Sequence, residues 1–184
     1  MSAALPSLST PRLALRALHE RQARTLAELA NGPEIADNTA ALPSPYTLDT
    51  ALGFIASQES NFHSGHSLAL GIHLREDDEL IGVISLRFSA AHRSGHLGYW
   101  VAAHRRNQGY AAEAAAAMMG FGFTERLLHR VGSQCFARNR ASARVLEKIG
   151  LRGEGCMKGA FLKNGRHEDV LLYGLLRTDW QGAS

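Results

Sequence analysis

Between residues 98 and 122 the chain passes from an apolar run, Gly98-Tyr99-Trp100-Val101, through a short basic loop, Arg105-Arg106-Asn107-Gln108-Gly109, into an alanine-rich stretch opened by Tyr110 and Ala111. That succession commits the middle of the chain to a strand followed directly by a helix, and it has the layout of a pyrophosphate cradle. A helix start leaves four backbone N–H groups without partners and carries partial positive charge, so a glycine there lets phosphate oxygens approach the main chain closely. Neither a Walker lysine loop nor a G-x-G-x-x-G fingerprint with its downstream ribose acid occurs to claim the phosphate for ATP or NAD.

At 184 residues, 45% hydrophobic and 20% charged, the chain is expected to form one domain over 1–184 with a full apolar core. Its start, Met1 to Pro6, lacks the basic opening and apolar run of a signal peptide, and no stretch approaches the length of a membrane span. Cys135 and Cys156 have neither metal-ligand spacing nor disulfide-scaffold density, which points to a reducing cytoplasm. The histidine pairs His63/His66 and His92/His96 lack a third ligand at suitable spacing, so no metal is expected. The net charge of +3 comes from 17 arginines and 3 lysines. They fall into separate short groups, at 105–106 and 138–144, where a nucleic-acid face would be one broad stripe.

Residues 13–18 read as a first strand and 20–30 as a helix, ended at Asn31-Gly32-Pro33 by a left-handed stop and a breaker. An irregular segment follows, then a rigid turn at Leu42-Pro43-Ser44-Pro45-Tyr46 and a helix capped by Thr47 and running to about 62. Residues 67–74, 79–88 and 95–101 form an antiparallel meander. Helix 110–125, strand 131–137 and helix 139–149 come next. The hairpin 155–162/168–175 turns at Asn164-Gly165, the strongest short hairpin signal. The sum is an α+β fold with a mixed central sheet: an antiparallel front, a parallel splayed middle and helices on both faces.

The pattern Arg106-x-x-Gly109-x-Ala111 resembles the cofactor loop of the GNAT superfamily of acetyl-CoA-dependent N-acetyltransferases. The resemblance extends over nearly the whole chain and is closest to the branch that includes the ribosomal-protein-alanine N-acetyltransferases. It rests on Thr10-Pro11-Arg12-Leu13-Ala14-Leu15-Arg16, on Pro43 to Thr47, on Gly98-Tyr99-Trp100, and on Asn139, Ser142 and Leu146 to Gly150. It implies transfer of acetyl to a primary amine, the favoured acceptor being the N-terminal α-amino group of a protein or peptide. A small amine or antibiotic is the alternative acceptor, and a non-catalytic acyl-CoA sensor the alternative role.

By the same resemblance, Trp100, Val101 and Ala102 hold the pantetheine arm with exposed backbone, and Asn139 bonds its amides while capping the next helix. Asn107, Gln108, Gly109, Tyr110 and Ala111 hold the pyrophosphate, and Arg105, Arg106 or Arg144 pair with the 3′-phosphate. Ser142 bonds the leaving sulfur, because the tyrosine that many such enzymes carry four residues later is Leu146 here. Several members of the branch have a glutamate just before the Gly-Tyr-Trp strand; here it is His96, a candidate general base, with a water relay as the default. Acceptor contacts fall to Asp37, Tyr46, Tyr99 and Glu168, in the 37–46 loop and the sheet. An apolar patch at the terminal hairpin offers a homodimer surface.

Overall fold

The computed structural model describes residues 4–39 and 42–182. Met1 to Ala3, part of the amino terminus read above for a signal peptide, and Ala40 and Ala41 of the 37–46 loop lie outside the described residues. No helix among the described residues is long and apolar enough to cross a membrane.

Eight strands make one sheet: β1 (Leu8–Ser9), β2 (Leu13–Arg16), β3 (Ser67–Leu74), β4 (Leu80–Ser89), β5 (Ser94–Val101), β6 (Arg130–Phe136), β7 (Arg152–Lys163) and β8 (Arg166–Leu176), in the order β1-β2-β3-β4-β5-β6-β8-β7. Every neighbouring pair is antiparallel except β5 and β6. The sheet is therefore mixed, as its sequence implies. Asn164 and Gly165 both take positive φ in the β7–β8 turn, the geometry that lets a two-residue loop follow the strand twist.

Helices cover both faces. On one, α1 (Ala23–Ala30) and α3 (Leu48–His63) pack Leu26, Ala51 and Ile55 against Leu80 and Val83. On the other, α4 (Tyr110–Thr124) and α5 (Arg140–Lys148) bury Met118, Phe123 and Leu146 against Leu70, Ile84, Leu97 and Val131. Each such aliphatic or aromatic side chain contributes about 1.5–3 kcal/mol when fully buried, so this sandwich is what fixes the sheet. Thr47 caps α3, its hydroxyl accepting from the Thr50 N–H at 3.1 Å.

Three expectations need correction. The segment after Asn31 is not irregular: α2 (Pro33–Asn38) starts on the proline, whose fixed φ suits the first turn of a helix. Nor is there a left-handed stop, since Asn31 and Gly32 have φ of −78° and −53°. Asn31 instead ends α1 through its side chain. Its amide donates to Ala27 O (3.0 Å) and Tyr46 O (2.7 Å), while its Oδ1 accepts from Tyr46 N (2.8 Å). The first long strand also stops at Arg16, short of residue 18, and Leu18 turns into the α1–α3 cluster.

His73 is fully buried within β3. Its Nδ1–H donates to Gly71 O (3.2 Å) and its Nε2 accepts from the Gln22 amide (2.8 Å), so the neutral ring is satisfied at both nitrogens. Burial, and then the charge of Arg16, hold its pKa below the ordinary value; the same direction holds at His96, from burial and then Arg87. With folded values depressed, the unfolded chain binds the extra protons. Stability is therefore full above about pH 6.5 and is lost as pH falls below it. Melting temperatures taken from about pH 7.5 down to 5.5 are expected to fall, and to fall less steeply for His73→Asn. An equal slope in both proteins would remove His73 from this account.

Candidate active site

The parallel pair β5–β6 is short. Pairing covers Ser94 with Arg130, Gly95 with Val131 and His96 with Gly132, after which β5 stays with β4 and β6 with β8. The strands diverge from Leu97 onward. At the fork the Ser133 hydroxyl donates to Leu97 O at 2.9 Å, so the first carbonyl beyond the ladder is satisfied by a side chain instead of by the next strand.

A groove of about 320 Å³ opens between the separated strands and the first turns of α4 and α5. Its walls include Tyr99, Trp100 and Val101 from β5, Arg106 to Ala112 apart from Gln108, and Asn139, Ser142, Arg144, Val145 and Lys148 from α5; no carboxylate lines it. Along its floor the backbone N–H groups of residues 107–112 donate to no acceptor among the described residues, the first intrahelical bond being Glu113 N to Gly109 O. Six successive free donors at a helix start, with neighbouring cations and no acid, could hold a phosphate-bearing group. The donor set fits the diphosphate of coenzyme A.

Gly109 is left-handed at φ 84°, and a Cβ there would come 3.3 Å from Arg12 Nη2. Arg12 was not singled out for function by its sequence context, yet it braces this loop. Its guanidinium lies 4.5 Å over the Tyr110 ring, its Nη1 donates to Gln108 O (2.9 Å), and its Nε donates to Glu113 Oε2 (2.7 Å). Glu113 also accepts from the Thr10 hydroxyl (2.6 Å) and the Arg12 N–H (2.9 Å). Burial works to raise the Glu113 pKa, but these hydrogen bonds outweigh it and hold the carboxylate below its usual range. The Thr10-x-Arg12 pair near the amino terminus thus carries a tie to the cradle, a signal visible in the motif though its partner was not.

The expected phosphate cations separate into two kinds. Arg105 is committed to Glu79, its Nε 3.0 Å from Oε2, and its ion pair holds the Glu79 pKa down. Arg106 is paired with Glu34 and donates to Val101 O (3.2 Å). Arg144 is exposed with no ion-pair or hydrogen-bond partner among the described residues for its guanidinium, and Lys148, one turn on, shares that condition. These two are the cations left for a phosphate.

Other expected residues fall as follows. Ala102 is buried and its N–H donates to Ile81 O (2.7 Å), so that amide is spent on β4. Gln108 takes part through its backbone, with its side chain outside the groove. Asn139 caps α5, its Oδ1 accepting from the Ser142 N–H at 3.1 Å. Tyr46 is 4% exposed inside the α1–α3 cluster and does not reach the groove, because the turn that carries it is clasped by Asn31. His96 lies in a separate recess with Arg87, Arg130 and Gln134. Arg87 Nη2 is 3.3 Å from its Nδ1. A guanidinium only donates, so Nδ1 accepts and the neutral ring carries its proton on Nε2.

Asp37 and Glu168 are not free to meet an amine. Arg138 spans both: Nε to Glu168 Oε1 (2.9 Å), Nη1 to Asp37 Oδ2 (3.0 Å) and Nη2 to Asp37 O (2.8 Å), with its guanidinium 5.2 Å over the Phe136 ring. Lys163 Nζ adds a bond to Thr39 O (3.0 Å), so the tip of α2 is strapped to the terminal hairpin. Tyr99 lines the groove and reaches across the fork to α5. Its hydroxyl lies 3.0 Å from Ser142 Oγ, and burial drives its pKa far above the ordinary value despite that hydrogen bond. Cys135 is buried beside the same serine, and burial raises its thiol pKa while the serine opposes it.

Comparison with known proteins agrees with this geometry. A family model described as "Acetyltransferase (GNAT) domain" matches residues 12–152. The uncharacterized N-acetyltransferase YoaA of Bacillus subtilis (strain 168) is 27% identical over 173 residues, 94% of this chain and 97% of the relative. The [ribosomal protein uS5]-alanine N-acetyltransferase of Escherichia coli (strain K12) is 27% identical over 94% of this chain and 92% of its own length. A crystal structure described as a probable acetyltransferase superposes with a TM-score of 0.87 at 26% identity, covering 95% of this chain and 99% of that one. The same fold occurs in Mycobacterium smegmatis RimJ in complex with CoA-disulfide, TM-score 0.85 at 23% identity over 99% and 91% of the two chains. With the fork, the free amides and this match over most of its length together, the chain belongs to the GNAT acetyltransferase family.

Proposed function

We propose that this acetyl-CoA-dependent N-acetyltransferase acts on the α-amino group at the terminus of a protein or peptide. The observation that carries this reading is the Arg138 bridge, which neutralises both Asp37 and Glu168 next to a groove that no carboxylate lines. A lysine-like or polyamine nitrogen with a pKa near 10.4 is neutral only about once in 2,500 molecules at pH 7, and needs a carboxylate both to attract the cation and to accept its proton as a base. An α-amine near 7.7–8 is already about a tenth neutral, so a water relay suffices. The lone pair of His96 Nδ1 is occupied by Arg87, which favours water over this histidine as the proton's first stop. In this reading the free amides of 107–112 hold the diphosphate, Arg144 and Lys148 face the nucleotide phosphate, and the Ser142 hydroxyl meets the sulfur. The relative named for ribosomal-protein alanine acetylation supports the same acceptor class.

The test is a panel of peptides with free amino termini set against polyamines and aminoglycosides, read as release of coenzyme A. Turnover is expected with peptides, rising with pH and levelling near 8 as the α-amine becomes neutral. Turnover confined to the polycationic amines would reject the proposed acceptor.

A further inference from the structure

We propose that Tyr99 is a positioning residue for the transfer step, its phenol donating to Ser142 Oγ so that the serine proton is aimed at the departing sulfur. The inference rests on the reading above, in which Ser142 faces that sulfur. Tyr99 extends from β5 across the fork to α5, its hydroxyl 3.0 Å from Ser142 Oγ and 3.3 Å from Ser142 O, and both residues line the groove. The two hydroxyls hold two protons. If the phenol gives its proton to Oγ, the serine proton is left to turn toward the groove, its one protein-side partner being the weak sulfur acceptor of Cys135. The start of α5 is held by Asn139, so the serine's position is fixed from one side by the cap and from the other by the phenol.

Other tyrosines are engaged elsewhere: Tyr173 donates to Glu147 Oε1 (3.1 Å), Tyr46 lies in the core, and the Tyr110 ring is stacked under Arg12. Position 146 is a fully buried leucine, so no hydroxyl reaches the serine from one turn along α5. The phenol comes from the opposite side of the fork instead.

In the transfer, the amine nitrogen bonds to the acetyl carbon, the carbon–sulfur bond breaks, and its electron pair goes to sulfur. The amine's surplus proton leaves to solvent, and the thiolate's charge is met by the serine O–H. Proton transfer from Tyr99 itself is uphill, because a thiol's pKa near 8.5 lies well below even an ordinary phenol's 10. Burial widens that gap. The phenol therefore acts as a permanent donor and not as the acid.

The experiment compares wild type, Tyr99→Phe, Ser142→Ala and the double variant. The pKa of the coenzyme A thiol in each binary complex is followed by thiolate ultraviolet absorbance, with kcat and KM for acetyl-CoA alongside. Tyr99→Phe is expected to raise the bound thiol's pKa by about half a unit or more and to lower kcat about tenfold at unchanged KM, with nothing further lost in the double variant. A thiol titration and kcat within twofold of wild type in Tyr99→Phe, while Ser142→Ala changes both, would overturn the proposal alone. So would losses that add independently. No change in Ser142→Ala would instead reject the placement of the serine on which the proposal rests.

Discussion

Replacing Gly109 with Asp is expected to lower affinity for acetyl-CoA by at least a hundredfold, about 2.8 kcal/mol at 25 °C. Two effects act together. The left-handed backbone at φ 84° disfavours any side chain by about 1–2 kcal/mol, and a Cβ at this point already touches Arg12. A carboxylate then stands among the free amides, where a unit charge about 4 Å from a phosphate repels it by roughly 4 kcal/mol at an effective dielectric near 20. Gly109→Ala separates the two, since it keeps the strain and omits the charge; its loss should be several-fold at most. Calorimetric titration with acetyl-CoA measures both variants. An Asp variant that binds within threefold of wild type would mean the diphosphate sits elsewhere.

The second large effect is expected at Gly82, on β4 opposite Val101. A Cβ built there would lie 2.2 Å from Trp100 O and 3.1 Å from Val101 Cα, both main-chain atoms that cannot rotate away. Gly82→Ala must therefore push β4 and β5 apart at the segment whose Trp100 and Val101 line the groove. The expected destabilisation is about 3 kcal/mol or more, a fall of roughly 6–12 °C in melting temperature for a domain of this size. Affinity for acetyl-CoA should weaken in whatever fraction remains folded. Gly53→Ala is the control, as nothing lies within 4 Å of that position, and it should melt no lower than wild type. Equal melting temperatures for Gly82→Ala and wild type would show that the two strands tolerate separation.

What the sequence made legible was local. The strand, loop and helix around Gly109, the Asn139 cap and the Asn164-Gly165 turn each depend on residues within a few positions of one another, so periodicity and turn chemistry are enough to find them. The partners of the charged side chains were not legible, because they come from distant segments: Arg106 meets Glu34 72 positions away, and Arg138 meets Asp37 101 positions away. That is why Arg105, Arg106, Asp37 and Glu168 looked available in one dimension and are paired in three. Tyr46 misled for a related reason, since an aromatic after a proline turn reads as a loop residue until the helices that bury it are in place. The short helix α2 escaped because Gly32 and Pro33 are also the residues of a break. The Tyr99–Ser142 contact joins residues 43 positions apart across a fork that no periodicity encodes.

The central claim, that the free amides after β5 grip the diphosphate, is tested most directly by the amide resonances of residues 107–112 in an isotope-labelled protein titrated with coenzyme A. The account predicts that these N–H signals shift and become protected from exchange with solvent as the complex forms. If they stay unshifted and unprotected while coenzyme A binds, the ligand is held by other groups and the cradle is not its site.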